Sequence, residues 1–207
     1  MLKFPNARYD DCGAYGDDYF EQLAQAAASV DRAALHAAAD LLARTIAGDG
    51  ILYACGNGGS AAIVNHLACD CLKGVRTDTG LRPRVHSLSA NVEILTAIAN
   101  DIAYQDVFAY QLESLGRPGD ALVAISSSGV SPNIVRALEA ARGLGMATIA
   151  MTGFTGGAAA PAADVSLHVD AHNYGVVEDV HQSLMHILAQ YLRQRHMDGG
   201  LIAQRKF

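Results

Sequence analysis

The chain has 207 residues, 51% of them hydrophobic, and a formal net charge of −6, which predicts one globular domain around one sizeable core. Lys and Arg are scattered and form no basic stripe, so direct nucleic-acid binding is not expected. Cys12, Cys55, Cys69 and Cys71 make neither a C-x-x-C pair nor a disulfide framework, MLKFPNARYDDCGAYGDD has no apolar leader, and no run approaches the roughly 18 apolar residues of a membrane span. The sequence therefore reads as a cytoplasmic protein with buried free thiols and no membrane partner.

Two Ala- and Leu-rich stretches, about Asp17 to Ala28 and Asp31 to Ala47, predict N-terminal helices, the second capped by Asp31 and closed by Gly48. The pattern then predicts strand 51–55, helix 60–73, strand 84–88, helices 91–99 and 105–115, strand 121–125 and helix 131–143. Strand 147–151, a Gly/Ala loop, strand 165–169 and a last helix over about 177–195 complete it. Apolar strands separated by helices imply a doubly wound parallel sheet with helices on both faces. A single domain spans 1–207, with leading helices over 17–48 and an α/β core over 51–195. Ligands of such sheets bind beyond the carboxyl ends of the strands. The tail MDGGLIAQRKF is read as partly mobile.

ACGNGGSAA, residues 54–62, joins a strand to a helix through three glycines. It can be a tight connector, a turn whose N–H groups converge on an anion, or a loose dinucleotide fingerprint, Gly56-x-Gly58-x-x-Ala61. AISSSGVSPNIVRAL, residues 124–138, repeats the arrangement: it runs through Ser126, Ser127, Ser128 and Gly129 and opens a helix at Ser131 with Pro132 in the first turn. Capping accounts for Ser131 and leaves the other three serines unexplained. A phosphate monoester, whose three oxygens need several donors at once, accounts for all four. A dinucleotide would need a carboxylate at the end of the second strand, and RVHSLSAN offers none before Glu93. No nucleotide cofactor is expected.

His66 and Asp70 are four residues apart and share a helical face, as a surface ion pair or as two groups that meet one ligand. Glu178, Gln182 and His186 fall on one face of the last helix, the outer two about 12 Å apart at Cα. They read either as a polar stripe or as long side chains reaching a shared point. His172 and His181 lack such partners and read as structural or surface residues.

CGNGGS, the His66-x-x-x-Asp70 pair, ILTAIANDIAYQDVFAYQLESLGRPGD, AISSSGVSPN, MTGFTGG and VHQSLMHIL occur in the order seen in sugar isomerase (SIS) domains. Within that superfamily the chain most resembles the phosphoheptose isomerases, over about residues 20–195. The resemblance implies a homotetramer with sites at subunit junctions and zinc-assisted interconversion of sedoheptulose 7-phosphate and D-glycero-D-manno-heptose 7-phosphate. It puts Asn57, Gly58 and Ser60 on a substrate-contacting loop and Ser126, Ser127, Ser128 and Ser131 on a phosphate loop. It puts His66, Asp70, Glu178 and His186 at metal and acid–base positions, with Glu178 also a substrate contact. The family usually has Glu, Gln and Asp where this chain has Asp70, Glu178 and Asn91, the last also a candidate substrate contact.

The implied chemistry is an aldose–ketose proton shift through an enediol, with Asp70 as base and His186 as acid. Two alternatives share these motifs: isomerisation of another ketose phosphate, and a non-catalytic SIS module that binds a sugar phosphate or a replication-initiator protein. The presence of His186 beside an acidic partner favours the enzyme.

Overall fold

The structure, a computed structural model, describes residues 3–207. Five parallel strands, β1 (Ile51–Gly56), β2 (Arg84–Ser87), β3 (Ala121–Ser126), β4 (Ala147–Thr152) and β5 (Val165–His168), lie in the order β2-β1-β3-β4-β5. Side chains alternate between the sheet faces. Leu52, Ala54, Val123 and Ile125 point into one core with α2 (Arg32–Ala47), α3 (Gly59–Cys69) and α8 (Tyr174–His196). Tyr53, Cys55, Leu122 and Ala124 point into the other, against α5 (Ala109–Leu115) and α6 (Pro132–Gly143). The doubly wound sheet expected from the sequence is thus present.

Several boundaries differ for identifiable reasons. The first helix, α1 (Cys12–Ser29), begins five residues before the predicted Asp17, because the Asp11 carboxylate accepts the Ala14 N–H at 2.7 Å. The last, α8, begins at Tyr174, because Asn173 Oδ1 accepts the Val176 N–H at 3.0 Å. Ser87 closes β2, one residue before the predicted end. The predicted helix 91–99 is α4 (Val92–Asp101), and the predicted helix 105–115 is a 3₁₀ turn, Tyr104–Asp106, followed by the shorter α5.

Two corrections bear on the site. The predicted helix 60–73 leaves α-geometry at Asp70 and continues as a π-turn over Asp70–Val75, a wide turn that recurs at functional positions. The tail expected to be mobile instead forms α9 (Gly199–Ile202) and packs back on α8, where Arg193 Nη1 donates to the Lys206 carbonyl at 2.9 Å. A short α7 (Ala159–Ala162) sits in the Gly/Ala loop.

All four cysteines are free, but only Cys55 and Cys71 are buried, while Cys12 and Cys69 are exposed. Burial pushes the Cys71 thiol up to about 12. No helix among the described residues is long and apolar enough to cross a membrane.

Candidate active site

Both candidate loops leave carboxyl ends of neighbouring strands, β1 and β3, and enter α3 and α6. At Gly56 a Cβ would lie 2.7 Å from the Ser60 carbonyl carbon, so only glycine lets β1 turn this tightly onto α3. Gly58 follows at φ +51°, a conformation that L side chains rarely adopt. Asn57 is then fixed by three hydrogen bonds. Its amide pairs reciprocally with that of Asn133 on α6 at 2.9 and 2.8 Å, and the Tyr104 hydroxyl donates to its Oδ1 at 2.9 Å. The first loop is thereby tied to the helix that carries the second.

The second loop presents its serines in different states. Ser126 Oγ accepts the Gly129 N–H at 3.1 Å and Ser128 Oγ accepts the Val130 N–H at 3.4 Å. Ser131 occupies the cap position of α6, yet its hydroxyl makes no capping bond. Ser127 Oγ is buried without any partner. An orphaned buried hydroxyl is costly unless a ligand satisfies it. The four serines share a cavity of about 140 Å³ with Asn57, Ser60, Tyr174 and Glu178.

Glu178 faces this cavity. Its carboxylate lies directly over the first turn of α3, so close that a Cβ at Gly59 would overlap it. The positive end of the α3 dipole favours a carboxylate there.

One and two turns further along α8, Gln182 and His186 meet α3. His66 Nε2 lies 3.4 Å from Asp70 Oδ1, and His186 Nε2 lies 3.7 Å from Asp70 Oδ2. The two imidazoles meet edge to face with centroids 4.9 Å apart. Between them the Gln182 amide nitrogen is 3.1 Å from His66 Nδ1 and 3.0 Å from His186 Nε2. With that amide donating, both of these ring nitrogens are acceptors, which leaves the proton of His66 on Nε2, the nitrogen that faces Asp70. One ligating atom each from His66, Asp70 and His186 lies within 4.8 Å of the others. Glu178 is not in that group. The structure thus splits the expected four-residue set into a compact triad and a carboxylate on the serine side.

Asn91 Oδ1 accepts the Ile94 N–H at 2.9 Å and caps α4, so its side chain is committed to a helix start and lines neither the serine cavity nor the one beside the triad. Gly58 contributes its backbone turn. His181 is fully buried, and neither ring nitrogen meets hydrogen-bond geometry. Desolvation lowers its pKa to about 4; the nearby Thr152 backbone opposes the shift and His168 adds to it. Asn133, Tyr104 and Tyr174 were not singled out by sequence reasoning. Asn133 follows the Ser-Pro opening of α6, and its burial is set by the fold. The two tyrosines carry no sequence signal.

On the far side of the triad a second cavity, of about 340 Å³, is bordered by His66, Asp70 and His186, and also by Lys73, Lys206 and Phe207.

The SIS-domain family model matches residues 15–153. A phosphoheptose isomerase of Roseiflexus sp. (strain RS-1) is 39% identical over 158 residues, 76% of this chain and 80% of that protein. The chain belongs to the phosphoheptose isomerase family of SIS domains. The solved phosphoheptose isomerase of Neisseria gonorrhoeae superposes with a TM-score of 0.79 at 33% identity, covering 87% of this chain and 96% of that one. That of Francisella tularensis superposes with a TM-score of 0.81 at 28% identity, covering 88% and 96%. In this phosphoheptose isomerase family member the two carboxylates of the site have different lengths and neighbours: the short Asp70 stands among imidazoles and the longer Glu178 stands among serines.

Proposed function

We propose that the protein interconverts sedoheptulose 7-phosphate and D-glycero-D-manno-heptose 7-phosphate, with the phosphate held by Ser126, Ser127, Ser128 and Ser131 and the carbonyl end presented to His66, Asp70 and His186. The observation that carries this reading is the partnerless buried Ser127 hydroxyl in a serine cavity beside a His–Asp–His cluster. Two imidazoles and a carboxylate whose ligand atoms lie within 4.8 Å of one another suit a zinc ion. Some of His66, Asp70 and His186 would hold it, and a group that ligates through its reacting atom does not also move a proton there. When bound, zinc supplies Lewis-acid polarisation of the carbonyl.

Asn57 and Ser60 orient the substrate hydroxyls. Asp70 removes the proton from C1 of the ketose and returns it to C2, while His186 takes the proton from the C1 hydroxyl and delivers one to the C2 oxygen. The enediol is the intermediate, and no atom is gained or lost. Gln182 bridges the two imidazoles and fixes their orientation.

Self-association, as a tetramer, is supported by apolar side chains left exposed: Phe20 on α1, Val92 on α4 and Ile187 on α8. The four free thiols suit a reducing cytoplasm. The test of the reaction is turnover of sedoheptulose 7-phosphate in D₂O. A proton shift through an enediol places deuterium at C2 of the aldose to the extent that the proton held by Asp70 exchanges with solvent before it is returned. No aldose at all would contradict the reading.

A further inference from the structure

Arg193 is buried, and each of its three side-chain nitrogens has a partner. Nε donates to the Thr77 carbonyl at 3.1 Å, Nη1 to the Lys206 carbonyl at 2.9 Å and Nη2 to Asp78 Oδ2 at 3.2 Å. Arg205 Nε donates to the same Asp78 oxygen at 3.0 Å, and the Phe207 ring lies over the Arg193 guanidinium at 4.9 Å. Thr79 pairs with Met197. A buried guanidinium is retained only when so paired. It clamps the tail to the turn that follows the π-turn of Asp70. The clamped tail then places Lys206 and Phe207 on the cavity that His66, Asp70 and His186 border from the other side.

The dimensions of the substrate lead to that cavity. A heptose 7-phosphate has eight bonds from phosphorus to C1, about 10 Å as a zigzag of bonds of roughly 1.5 Å. Glu178, in the serine cavity, and His186, in the triad, are about 12 Å apart at Cα along α8. An extended substrate with its phosphate on the serines is therefore long enough for C1 and C2 to reach the triad, and the triad borders the same cavity as Lys206 and Phe207.

We propose that residues 199–207 form a wall of the sugar site, with Lys206 and Phe207 closing it against the C1 end of the substrate and Arg193 as the positioning residue that holds them. This rests on the isomerase reading above. It makes the tail, which lies outside the matched SIS-domain segment, a determinant of how the carbonyl end is held.

The chain contains no tryptophan, so Phe207→Trp places a unique fluorophore on this wall and preserves the stacking on Arg193. Titration with sedoheptulose 7-phosphate is expected to change its emission saturably, whereas inorganic phosphate, which fills only the serine loop, is expected to leave it unchanged. Deletion of 199–207 is expected to lower kcat/KM for sedoheptulose 7-phosphate at least tenfold and to leave the inhibition constant of inorganic phosphate within twofold. A Phe207→Trp protein that turns the sugar over with silent emission overturns the wall. Emission that responds to the sugar without turnover supports the wall and removes the isomerase reading. Silence together with no turnover overturns both.

Discussion

The side-chain amides of Asn57 and Asn133 hydrogen-bond each other reciprocally, at 2.9 and 2.8 Å, across the gap between the two Gly/Ser loops. Asn133 is buried, so no water can replace its partner. Asn133→Asp removes one donor and sets a carboxylate against Asn57 Oδ1. The expected loss is about 1–3 kcal/mol of folding stability by urea denaturation, with a KM for sedoheptulose 7-phosphate raised about tenfold because the first loop loses its anchor.

Ser127 Oγ has no partner in the free protein, so its removal separates binding from folding. Ser127→Ala is expected to leave thermal stability unchanged or slightly raised. Competitive inhibition by inorganic phosphate should weaken about 10- to 100-fold, the loss of one charge-assisted hydrogen bond of about 1.5–3 kcal/mol. A Ser127→Ala protein that binds phosphate as tightly as the parent would remove this serine from the anion site.

His181 predicts a dependence on acid. Its folded pKa of about 4 lies below the ordinary 6.5 because burial disfavours the imidazolium. Below pH 6.5 the unfolded chain binds a proton that the folded chain refuses. Stability is therefore full above about pH 6.5 and falls as the pH drops from there through about 4, by on the order of 3 kcal/mol from this group. His181→Leu, which removes two unsatisfied nitrogens at similar volume, should flatten that part of the curve. Melting temperatures of both proteins between pH 7.5 and 4 check it.

The sheet and its helices were legible because apolar runs alternate with amphipathic stretches, and both loops were legible as glycine and serine runs at strand ends. Other features depend on contacts remote in sequence. The π-turn at Asp70 has no local signature in ACDCLKG, and the tail is ordered by Arg193, Asp78 and Phe207, which lie far apart along the chain. Glu178 and His186 share a helix face, as their spacing predicts, but they face different cavities because Gln182 fills the space between them. Spacing identified the stripe and could not divide it.

The division of the carboxylates yields a prediction about metal. If His66, Asp70 and His186 hold zinc, Asp70→Asn should lower zinc affinity at least tenfold by isothermal titration. Glu178→Gln, outside the triad, should change it by less than threefold. A larger loss in Glu178→Gln than in Asp70→Asn would move the metal toward the serine cavity.

In this protein the loops bind and the two helices react. His186→Ala tests it most directly, by measuring turnover of sedoheptulose 7-phosphate beside the inhibition constant of inorganic phosphate in the same preparation. Turnover is expected to fall about a thousandfold, within the roughly 10²–10⁴-fold contribution of a single general acid, while phosphate binding stays within twofold of the parent. Undiminished turnover in His186→Ala would contradict it.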